Sequence, residues 1–486
     1  MSASVPLHQQ PVSWRHWSIL GLVLLADMLD LLDATLTTIA APTIANDIGG
    51  GEVLVKWLGA GYTLALGVLL LAGGRLGDRY GQRRLFLLGL TGFTVASAAC
   101  GLAGGPLSII FARMVQGAFG ALLIPQGLAL LTLTFPRPML GRVFGFFGPV
   151  LGFAAVIGPI LAGLIIDANW AGLGWRPMFL MNIVLGGVGL AVAARILPKD
   201  QGNPSVVVEL PGSVLFAASM FGVMYGLIEG SSGGWGWLAV GSMTAGLVLF
   251  VLFCWRQATA RHPLLTLSLL KNRGFTSGLI MILVFFAAIN GLSYVLSLFM
   301  QDGLTATPTG AALGLAPMAG GIAAVSLLCG GLVPRFGRWL VWWGMLVSFA
   351  AAVWLWWLVW RSGQAVSLWD MAWPILIMGA GMGGCFGALF DVALGDIAPA
   401  EVGSASGLLG AVQQLANSIG AAAMMTLYYQ RLPVDGIGPA TAVNLLVGAA
   451  MLLVCCALVW LLPRQAGYHR PDQDQDQDRG QDQPIH

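Results

Sequence analysis

The sequence predicts an all-helical integral membrane protein with about fourteen transmembrane helices. Of its 486 residues, 57% are hydrophobic and only 9% are charged, and the mean hydropathy is +0.82. Soluble globular proteins carry about 25% charged residues, so this composition is typical of a chain whose main solvent is lipid. The 68 glycines agree, because glycine is more frequent in membrane helices than in soluble ones.

Transmembrane helices are predicted wherever about 20 mostly apolar residues follow one another, since a helix of that length crosses the hydrocarbon core. Fourteen segments meet this condition, and three of them are less regular because they contain prolines or amides. The predicted spans are 17–41, 54–74, 84–104, 107–133, 142–166, 178–197, 212–229, 237–255, 275–299, 309–332, 339–360, 373–394, 403–428 and 440–462.

Lysine and arginine are distributed unevenly between the two sets of loops that alternate along the chain. Eighteen of the 23 basic residues fall in one set and four in the other, with Arg113 left inside a span. Cytoplasmic loops accumulate positive charge, so both termini are expected in the cytoplasm, which requires an even number of spans. The net charge of +2 gives no reason to expect a nucleic-acid partner.

A short sequence recurs in the two halves of the chain. Residues 74–81, GRLGDRYG, are similar to residues 330–337, GGLVPRFG, although Pro334 stands where the first copy has Asp78. If the two central spans are an insertion, each copy follows the second span of a six-span block. Two such blocks predict paired helix bundles with a binding site between them at the membrane midplane, which is a recurring arrangement in transporters. The predicted regions are a tail 1–16, a bundle 17–197, a linker with two inserted spans 198–274, a bundle 275–462 and a disordered tail 463–486.

Three aspartates interrupt the first span, at Asp27, Asp30 and Asp33. Spacing of three places them on one side of a helix, and a carboxylate at bilayer depth costs about 2.5–3.5 kcal/mol, so they are expected to face a polar cavity. Neighbouring carboxylates disfavour each other's ionisation, so at least one is expected to hold a proton near neutral pH. This favours proton coupling; the alternative is a buried acid that is hydrogen-bonded to a neighbouring helix.

Arg113 is the only basic residue deep inside a predicted span. Its guanidinium stays charged and needs an acidic or polar partner, for which the first-span aspartates are the natural candidates. The alternative is that its side chain extends to the nearer membrane surface.

The loop and the first span resemble motifs of the major facilitator superfamily and its fourteen-span drug/proton antiporter branch. Residues 74–84 are similar to the superfamily's loop motif, with Gln82 in place of a basic residue. Residues 32–35 and 41–44, LDAT and APTI, resemble the first-span motif of the branch, with Asp33 at its acid. The loop motif comprises Gly74, Asp78, Arg79, Gly81 and Arg83.

Three further motifs follow in the family's order. The fifth-span antiporter motif is matched at Gly158, Pro159 and Gly163, while Ala154 and Ala162 replace two of its glycines. The fourth-span motif is matched at Arg113, Gln116, Gly117 and Gly120. The entry to the sixth span is matched at Trp175, Arg176, Phe179 and Asn182, with Val184 in place of a proline.

The resemblance implies two six-helix bundles of the major facilitator type with two extra central spans. It also implies that Asp33 and Arg113 serve proton coupling, that the loop motif locks the cytoplasmic side, and that the fifth-span motif sets the exporting direction. Asp27 and Asp30 lie outside the usual pattern, so their assignment to proton coupling depends on the physical argument alone.

These observations predict a secondary transporter, namely a proton-coupled antiporter that exports small amphipathic or cationic compounds by alternating access. It is expected to act as a monomer in the cytoplasmic membrane, with substrate, protons and the bilayer as partners and with neither cofactor nor ATP. The substrate cavity is expected between the bundles, and its predicted polar lining is Gln126, Asn290, Tyr294, Gln413 and Asn417.

Four alternatives to this function have to be considered. A proton-coupled exporter of one endogenous metabolite or lipid-like molecule has the same sequence features, whereas the fifth-span motif disfavours an importer. An ATP-driven pump is disfavoured because the nucleotide-binding pattern G-x-x-x-x-G-K-[ST] does not occur. Residues 230–233, GSSG, mimic an intramembrane serine-protease motif, but all five histidines fall in predicted loops or tails, so neither a catalytic nor a metal site is expected.

Overall fold

The computed structural model describes residues 12–200, 202–206, 209–260, 267–329, 331–394, 397–398 and 401–462. Every regular element in these ranges is a helix. The tail predicted to be disordered, 463–486, and most of the N-terminal tail lie outside the described residues.

Seven helices form the first half of the chain. They are α1 (Trp14–Ile48), α2 (Gly51–Tyr80), α3 (Gln82–Gly101), α4 (Pro106–Thr134), α5 (Arg137–Gly145), α6 (Phe147–Ala168) and α7 (Pro177–Ile196). A central pair follows, α8 (Leu210–Gly233) and α9 (Trp237–Thr259). The second half comprises α10 (Leu267–Lys271), α11 (Arg273–Leu298), α12 (Pro308–Cys329), α13 (Val333–Phe336), α14 (Arg338–Ser362), α15 (Leu368–Leu394), α16 (Val402–Asp435) and α17 (Ile437–Leu458).

Fourteen of the described helices have 20 or more residues, and each predicted span overlaps one of them. Eleven are both long enough and apolar enough to cross a membrane: α2, α3, α4, α7, α8, α9, α11, α12, α14, α15 and α17. The other three, α1, α6 and α16, are of similar length. Helix α1 contains four aspartates and α16 contains several amides, so both are less apolar than the eleven.

The predicted fifth span is broken into α5 and α6 at Phe146. Pro149 has no N–H to donate to the carbonyl of Gly145 four residues earlier, so the helix cannot continue through this point unchanged. The freed Gly145 carbonyl accepts a hydrogen bond from Ser326 of α12 instead. The break therefore fixes a contact between the two halves of the chain.

The helices of each half pack mainly against one another, and the central pair packs on the junction between the halves. In the first half α4 contacts α2 and α3, while α1 contacts α2, α6 and α7. In the second half α15 contacts α12 and α14, while α11 contacts α16 and α17. Helix α8 lies against α9 and also against both α2 and α16, so it touches both halves.

The two halves approach each other closely where α2 crosses α16. A Cβ atom at Gly74 of α2 would overlap the carbonyl oxygen of Gly403 and lie 3.1 Å from the Cα of Gly407. Small residues of this kind let membrane helices approach closely. Gly74 of the loop motif is therefore a packing residue at the junction of the halves.

The halves also meet through aromatic side chains near the α2–α3 loop, at the end of the bundle that we call the loop end. The ring of Phe390 in α15 lies 5.8 Å from that of Phe144 in α5 and 6.1 Å from that of Phe147 in α6. Val333, in the second copy of the repeat, packs against Gly141 of α5, where an added Cβ atom would lie 2.8 Å from the Cβ of Val333. These contacts join the two halves at the loop end.

Candidate functional site

Asp33 lies at the centre of a buried polar network between α1, α4 and α7. Its side chain is 2% exposed, and its Oδ2 forms an ion pair with Nη1 of Arg113, which is fully buried. Its Oδ1 accepts hydrogen bonds from Nε2 of Gln116 at 3.0 Å and from Nδ2 of Asn182 at 2.8 Å. Both carboxylate oxygens are thus bound, which is what a buried carboxylate requires to remain in an apolar interior.

Arg113 is held by several partners in addition to Asp33. Its Nη1 donates to Oε1 of Gln116 at 2.8 Å, and its Nε donates to the carbonyl of Leu58 at 3.1 Å. The centre of the Tyr62 ring lies 4.4 Å from its Cζ, close enough for a cation–π contact. Arg113 therefore points into the bundle, and the alternative in which it reaches the membrane surface is wrong.

The spacing of residues along α4 and α7 explains how they meet Asp33. Arg113 and Gln116 are three apart, so they lie on the same face of α4. Phe179 and Asn182 are likewise three apart on α7. Asn182 also donates to Ser97 of α3 at 2.9 Å, and this bond fixes the orientation of its amide.

Asp30 and Asp27 are half-buried, in contrast to Asp33. One carboxylate oxygen of Asp30 accepts a hydrogen bond from the hydroxyl of Tyr62 on α2. The three acids therefore have different environments, because Asp33 is enclosed in an ion pair while the other two are accessible in part.

The loop motif joins the two halves through Asp78. Its Oδ1 accepts from the backbone N–H of Gly403 at 2.8 Å, and its Oδ2 accepts from the N–H of Ser404 at 2.8 Å and from the Ser404 hydroxyl at 2.5 Å. These two N–H groups belong to the first turn of α16, where they have no partner within the helix and where negative charge is favoured. Arg75 also donates to the Ser404 hydroxyl, at 3.3 Å.

The arginines of the loop motif are tied to α7 and to the linker that follows it. Arg79 donates to the carbonyl of Val206 at 3.3 Å, and Arg83 donates to the carbonyl of Ala194 at 2.7 Å. Gly81 has a φ of +98°, a region that favours glycine, and it lets the chain turn between α2 and α3. Asp200 accepts from the N–H of Gln82 at 2.5 Å and so caps α3.

Of the three matched residues of the antiporter motif, the structure describes the surroundings of Gly158 alone. Gly158 of α6 faces α1, where a Cβ atom would lie 2.8 Å from the Cβ of Thr35 in the first-span motif. The glycine therefore permits close contact between these two helices. Pro159 and Gly163 lie in the same helix, but their side-chain environments are outside the described part of the chain.

A second charged cluster lies at the end of the bundle opposite the loop end. Asp47, at the end of α1, accepts from Nε1 of Trp175 at 3.0 Å and from Nη1 of Arg176 at 2.8 Å. These hydrogen bonds, first that from Trp175, lower the pKa of Asp47. Trp175 and Arg176 of the sixth-span motif thus connect α1 to α7.

Four of the five predicted cavity residues are partly accessible. Asn290 of α11 donates to the carbonyl of Asn417 in α16 at 2.7 Å, and both are half-buried, as is Gln413. Tyr294 is 38% exposed. Gln126 differs from the prediction, because it is fully buried and donates to the carbonyl of Gly73 at 2.9 Å, joining α4 to α2 instead of facing open space.

The structure also brings to the site residues to which the sequence analysis assigned no role. Tyr62 belongs to none of the motifs, and a tyrosine in an apolar helix gives no distinguishing signal. Asn182 and Gln116 were present in the motifs, but only the fold shows that their amides bind Asp33. No group of three or more His, Cys, Asp or Glu that could hold a metal occurs among the described residues.

Sequence comparison places these features in a known family. The family profile of the Major Facilitator Superfamily matches residues 23–421. The chain is 38% identical over 420 residues to a probable actinorhodin transporter of Streptomyces coelicolor, covering 85% of this chain and 73% of the relative. It is 34% identical over 426 residues to the tetracenomycin C resistance and export protein of Streptomyces glaucescens, covering 86% and 77%.

Solved structures of other transporters share the fold. A human organic anion transporter, TETRAN, aligns with a TM-score of 0.65 at 15% identity, covering 93% of this chain and all of that one. The proton:xylose symporter XylE aligns with a TM-score of 0.65 at 16% identity, covering 92% and 95%. Because the family profile spans most of the chain and two relatives exceed 30% identity over most of its length, the chain belongs to the major facilitator superfamily of multi-pass membrane transporters.

Proposed function

We propose that this protein is a proton-coupled antiporter that exports small amphipathic or cationic compounds by alternating access. The observation that carries the proposal is the buried Asp33–Arg113 pair on α1 and α4, with the half-buried Asp30 and Asp27 on the same helix. An ionisable group inside a membrane bundle is costly and is usually functional.

The proposed proton site works through the ionisation of Asp33. When Asp33 is ionised it neutralises Arg113; when it takes up a proton, the guanidinium loses its counter-charge and the network around it must rearrange. Such a rearrangement between α1, α4 and α7 can bias the bundle toward one conformation. An inward-moving proton supplies about 2.3 kcal/mol per charge for each 100 mV of membrane potential.

The proposed topology has fourteen membrane spans. It adds α1, α6 and α16 to the eleven helices that are apolar enough by composition, because each is long enough to cross. The bundles are 17–197 and 275–462, the linker with the inserted pair is 198–274, and both termini and the loop end lie in the cytoplasm. Because the two halves are joined at the loop end, we propose that the described conformation faces outward.

The substrate class is inferred from the relatives. The two Streptomyces relatives described above are each named for the transport or export of a single compound. A further relative from Streptomyces alboniger, 29% identical over 464 residues, is named a puromycin resistance protein. These names also favour a second candidate, an exporter of one endogenous metabolite. Export assays with a chemically diverse panel distinguish the two, because a response to a single compound supports the second candidate.

We expect Asp33→Asn to abolish proton movement without abolishing substrate binding. In proteoliposomes, substrate-driven proton flux should fall to the level of empty vesicles, while substrate-for-substrate counterflow persists. Because the variant leaves Arg113 buried without its counter-charge, it should also lower the free energy of unfolding by about 3–5 kcal/mol. Asp33→Asn/Arg113→Gln removes both charges and should recover stability but not proton flux.

The matched control for this experiment is Asp435→Asn. Asp435 forms a partly exposed pair with Arg431 at 3.2 Å, and such surface pairs contribute at most about 1 kcal/mol. Its proton flux should equal that of the unmodified protein. Normal substrate-driven proton flux in a folded Asp33→Asn protein would refute the proposed coupling.

We expect that joining α5 to α15 at the loop end stops transport. Phe144→Cys and Phe390→Cys, in a background lacking the six native cysteines, can be bridged by a short reducible cross-linker, since the two rings lie 5.8 Å apart. Cross-linking should reduce transport to background, and reduction should restore it. The control pair is Phe216→Cys and Phe253→Cys, because the two phenylalanine rings lie 5.2 Å apart within the α8–α9 pair. Transport that continues after the bridge between positions 144 and 390 has formed would contradict alternating access through this end.

We expect cysteines at positions 80 and 170 to be labelled from opposite sides of the membrane. Tyr80 and Trp170 are 47% and 67% exposed, at the two ends of the bundle. In intact cells an impermeant thiol reagent should modify Trp170→Cys but not Tyr80→Cys. The reverse pattern would overturn the proposed orientation.

A further inference from the structure

Tyr62 of α2 contacts both Asp30 and Arg113. Its hydroxyl donates a hydrogen bond to Oδ1 of Asp30, and its ring lies under the guanidinium of Arg113, 4.4 Å from Cζ. The side chain is only 2% exposed. One rigid side chain thus joins the half-buried acid Asp30 to the ion pair of Arg113 with Asp33.

The position of Tyr62 depends on two glycines of the fourth-span motif. A Cβ atom at Gly117 would overlap the carbonyl oxygen of Tyr62. A Cβ atom at Gly120 would lie 3.1 Å from the Tyr62 hydroxyl and 3.8 Å from Oδ1 of Asp30. The two glycines therefore provide the space in which the tyrosine reaches the acid.

The oxygen partners of Arg113 do not satisfy its whole guanidinium. Its Nη1 and Nε donate hydrogen bonds, but its buried Nη2 has no hydrogen-bond partner among the described residues. The face of an aromatic ring attracts a cation, so the Tyr62 ring, 4.4 Å from Cζ, stabilises the guanidinium charge, and the Phe179 ring lies farther away at 5.9 Å.

The charged and titratable groups that face Asp30 come from three helices. Asp27 and Asp33 lie on its own helix, Tyr62 approaches from α2, and Arg113 lies on α4. Helices α6 and α7 also pack against α1, but their sequences carry ionisable residues only near their ends, at Asp167 and Arg195. Among these groups, Tyr62 contacts both Asp30, through its hydroxyl, and Arg113, through its ring.

We infer that Tyr62 is a positioning residue that couples the protonation of Asp30 to the Arg113–Asp33 pair; this inference rests on the proposed proton-coupled function. When Asp30 is ionised, the phenol donates a charge-assisted hydrogen bond to it, which is stronger than one to a neutral acceptor. That bond holds the ring under Arg113. The proton that Asp30 later takes up adds to a carboxylate oxygen, and Tyr62 keeps its own proton throughout.

Protonation of Asp30 weakens this hydrogen bond and frees the ring. Arg113 then loses one of the contacts that fix it, and its pairing with Asp33 changes. Asp30, which is partly accessible, thus receives the proton first and transmits its arrival to the enclosed acid Asp33 through Tyr62.

Tyr62→Phe tests this link because it keeps the ring under Arg113 and removes only the hydroxyl. In proteoliposomes, the pH of half-maximal proton-coupled exchange should rise by about one unit, since a hydrogen bond to a charged group favours the ionised form by roughly that amount. The KM of substrate-for-substrate counterflow should remain within about twofold, because the ring and the fold are retained.

Non-additivity provides the second criterion. Asp30→Asn/Tyr62→Phe should have the same pH profile as Asp30→Asn alone, because the hydroxyl acts only through the acid. Tyr225→Phe is the matched control: its ring stacks on Phe221 in α8, and its pH profile should be unchanged. If Tyr62→Phe folds poorly, Gly120→Ala provides a second variant, since the added methyl lies 3.1 Å from the hydroxyl and should raise the pH midpoint in the same way.

Two results would overturn the inference. One is a pH profile of exchange that Tyr62→Phe leaves unshifted. A proportional loss of exchange and counterflow at an unshifted pH midpoint belongs to this case, because it indicates a purely structural residue. The other is a pH effect that adds to that of Asp30→Asn. Failure of the underlying function has a different signature, namely proton flux that persists in Asp33→Asn.

Discussion

Moving a carboxylate from water into the interior of a membrane bundle is so costly that Asp33 can remain ionised only where opposite charge and hydrogen-bond donors meet it. Two helices supply these groups to the acid on α1: α4 provides Arg113 and Gln116, and α7 provides Asn182. The packing of the first half must therefore bring these helices together in one arrangement. Any change in the charge of Asp33 acts directly on that packing, which is why the pair is suited to drive a conformational change.

The same electrostatic principle recurs where the two halves meet. Asp78 binds the free N–H groups at the first turn of α16, and the adjacent glycines Gly74 and Gly407 allow α2 and α16 to cross closely. In the second copy of the repeat, Val333 packs against α5 near Gly141 instead. The two halves are therefore joined at the loop end by the hydrogen bonds of Asp78 on one side and by apolar and aromatic contacts on the other. In the proposed mechanism both must separate before substrate can enter from the cytoplasm.

The sequence predicted the helices well because lipid imposes a length and an apolar composition that can be counted directly. It failed at the fifth span, where Pro149 breaks the helix and Ser326 binds the freed carbonyl of Gly145. It predicted that Arg113 would pair with a first-span aspartate but could not choose among three, since that choice depends on the rotation of α1 against α4. Gln126 was predicted to line the cavity because it is polar, yet the fold uses it to bind a carbonyl of α2. Tyr62 was missed because only tertiary contacts give it a role.

Proton-coupled export as proposed requires that binding of substrate is linked to release of a proton from the first-helix acids. The most direct test adds substrate to the purified protein in detergent at low buffer capacity and records the pH of the solution, with no membrane or gradient present. The account predicts release of protons in proportion to bound substrate, and no release from the Asp33→Asn protein. Saturable substrate binding without any proton release by the unmodified protein, across the pH range in which it transports, would contradict it.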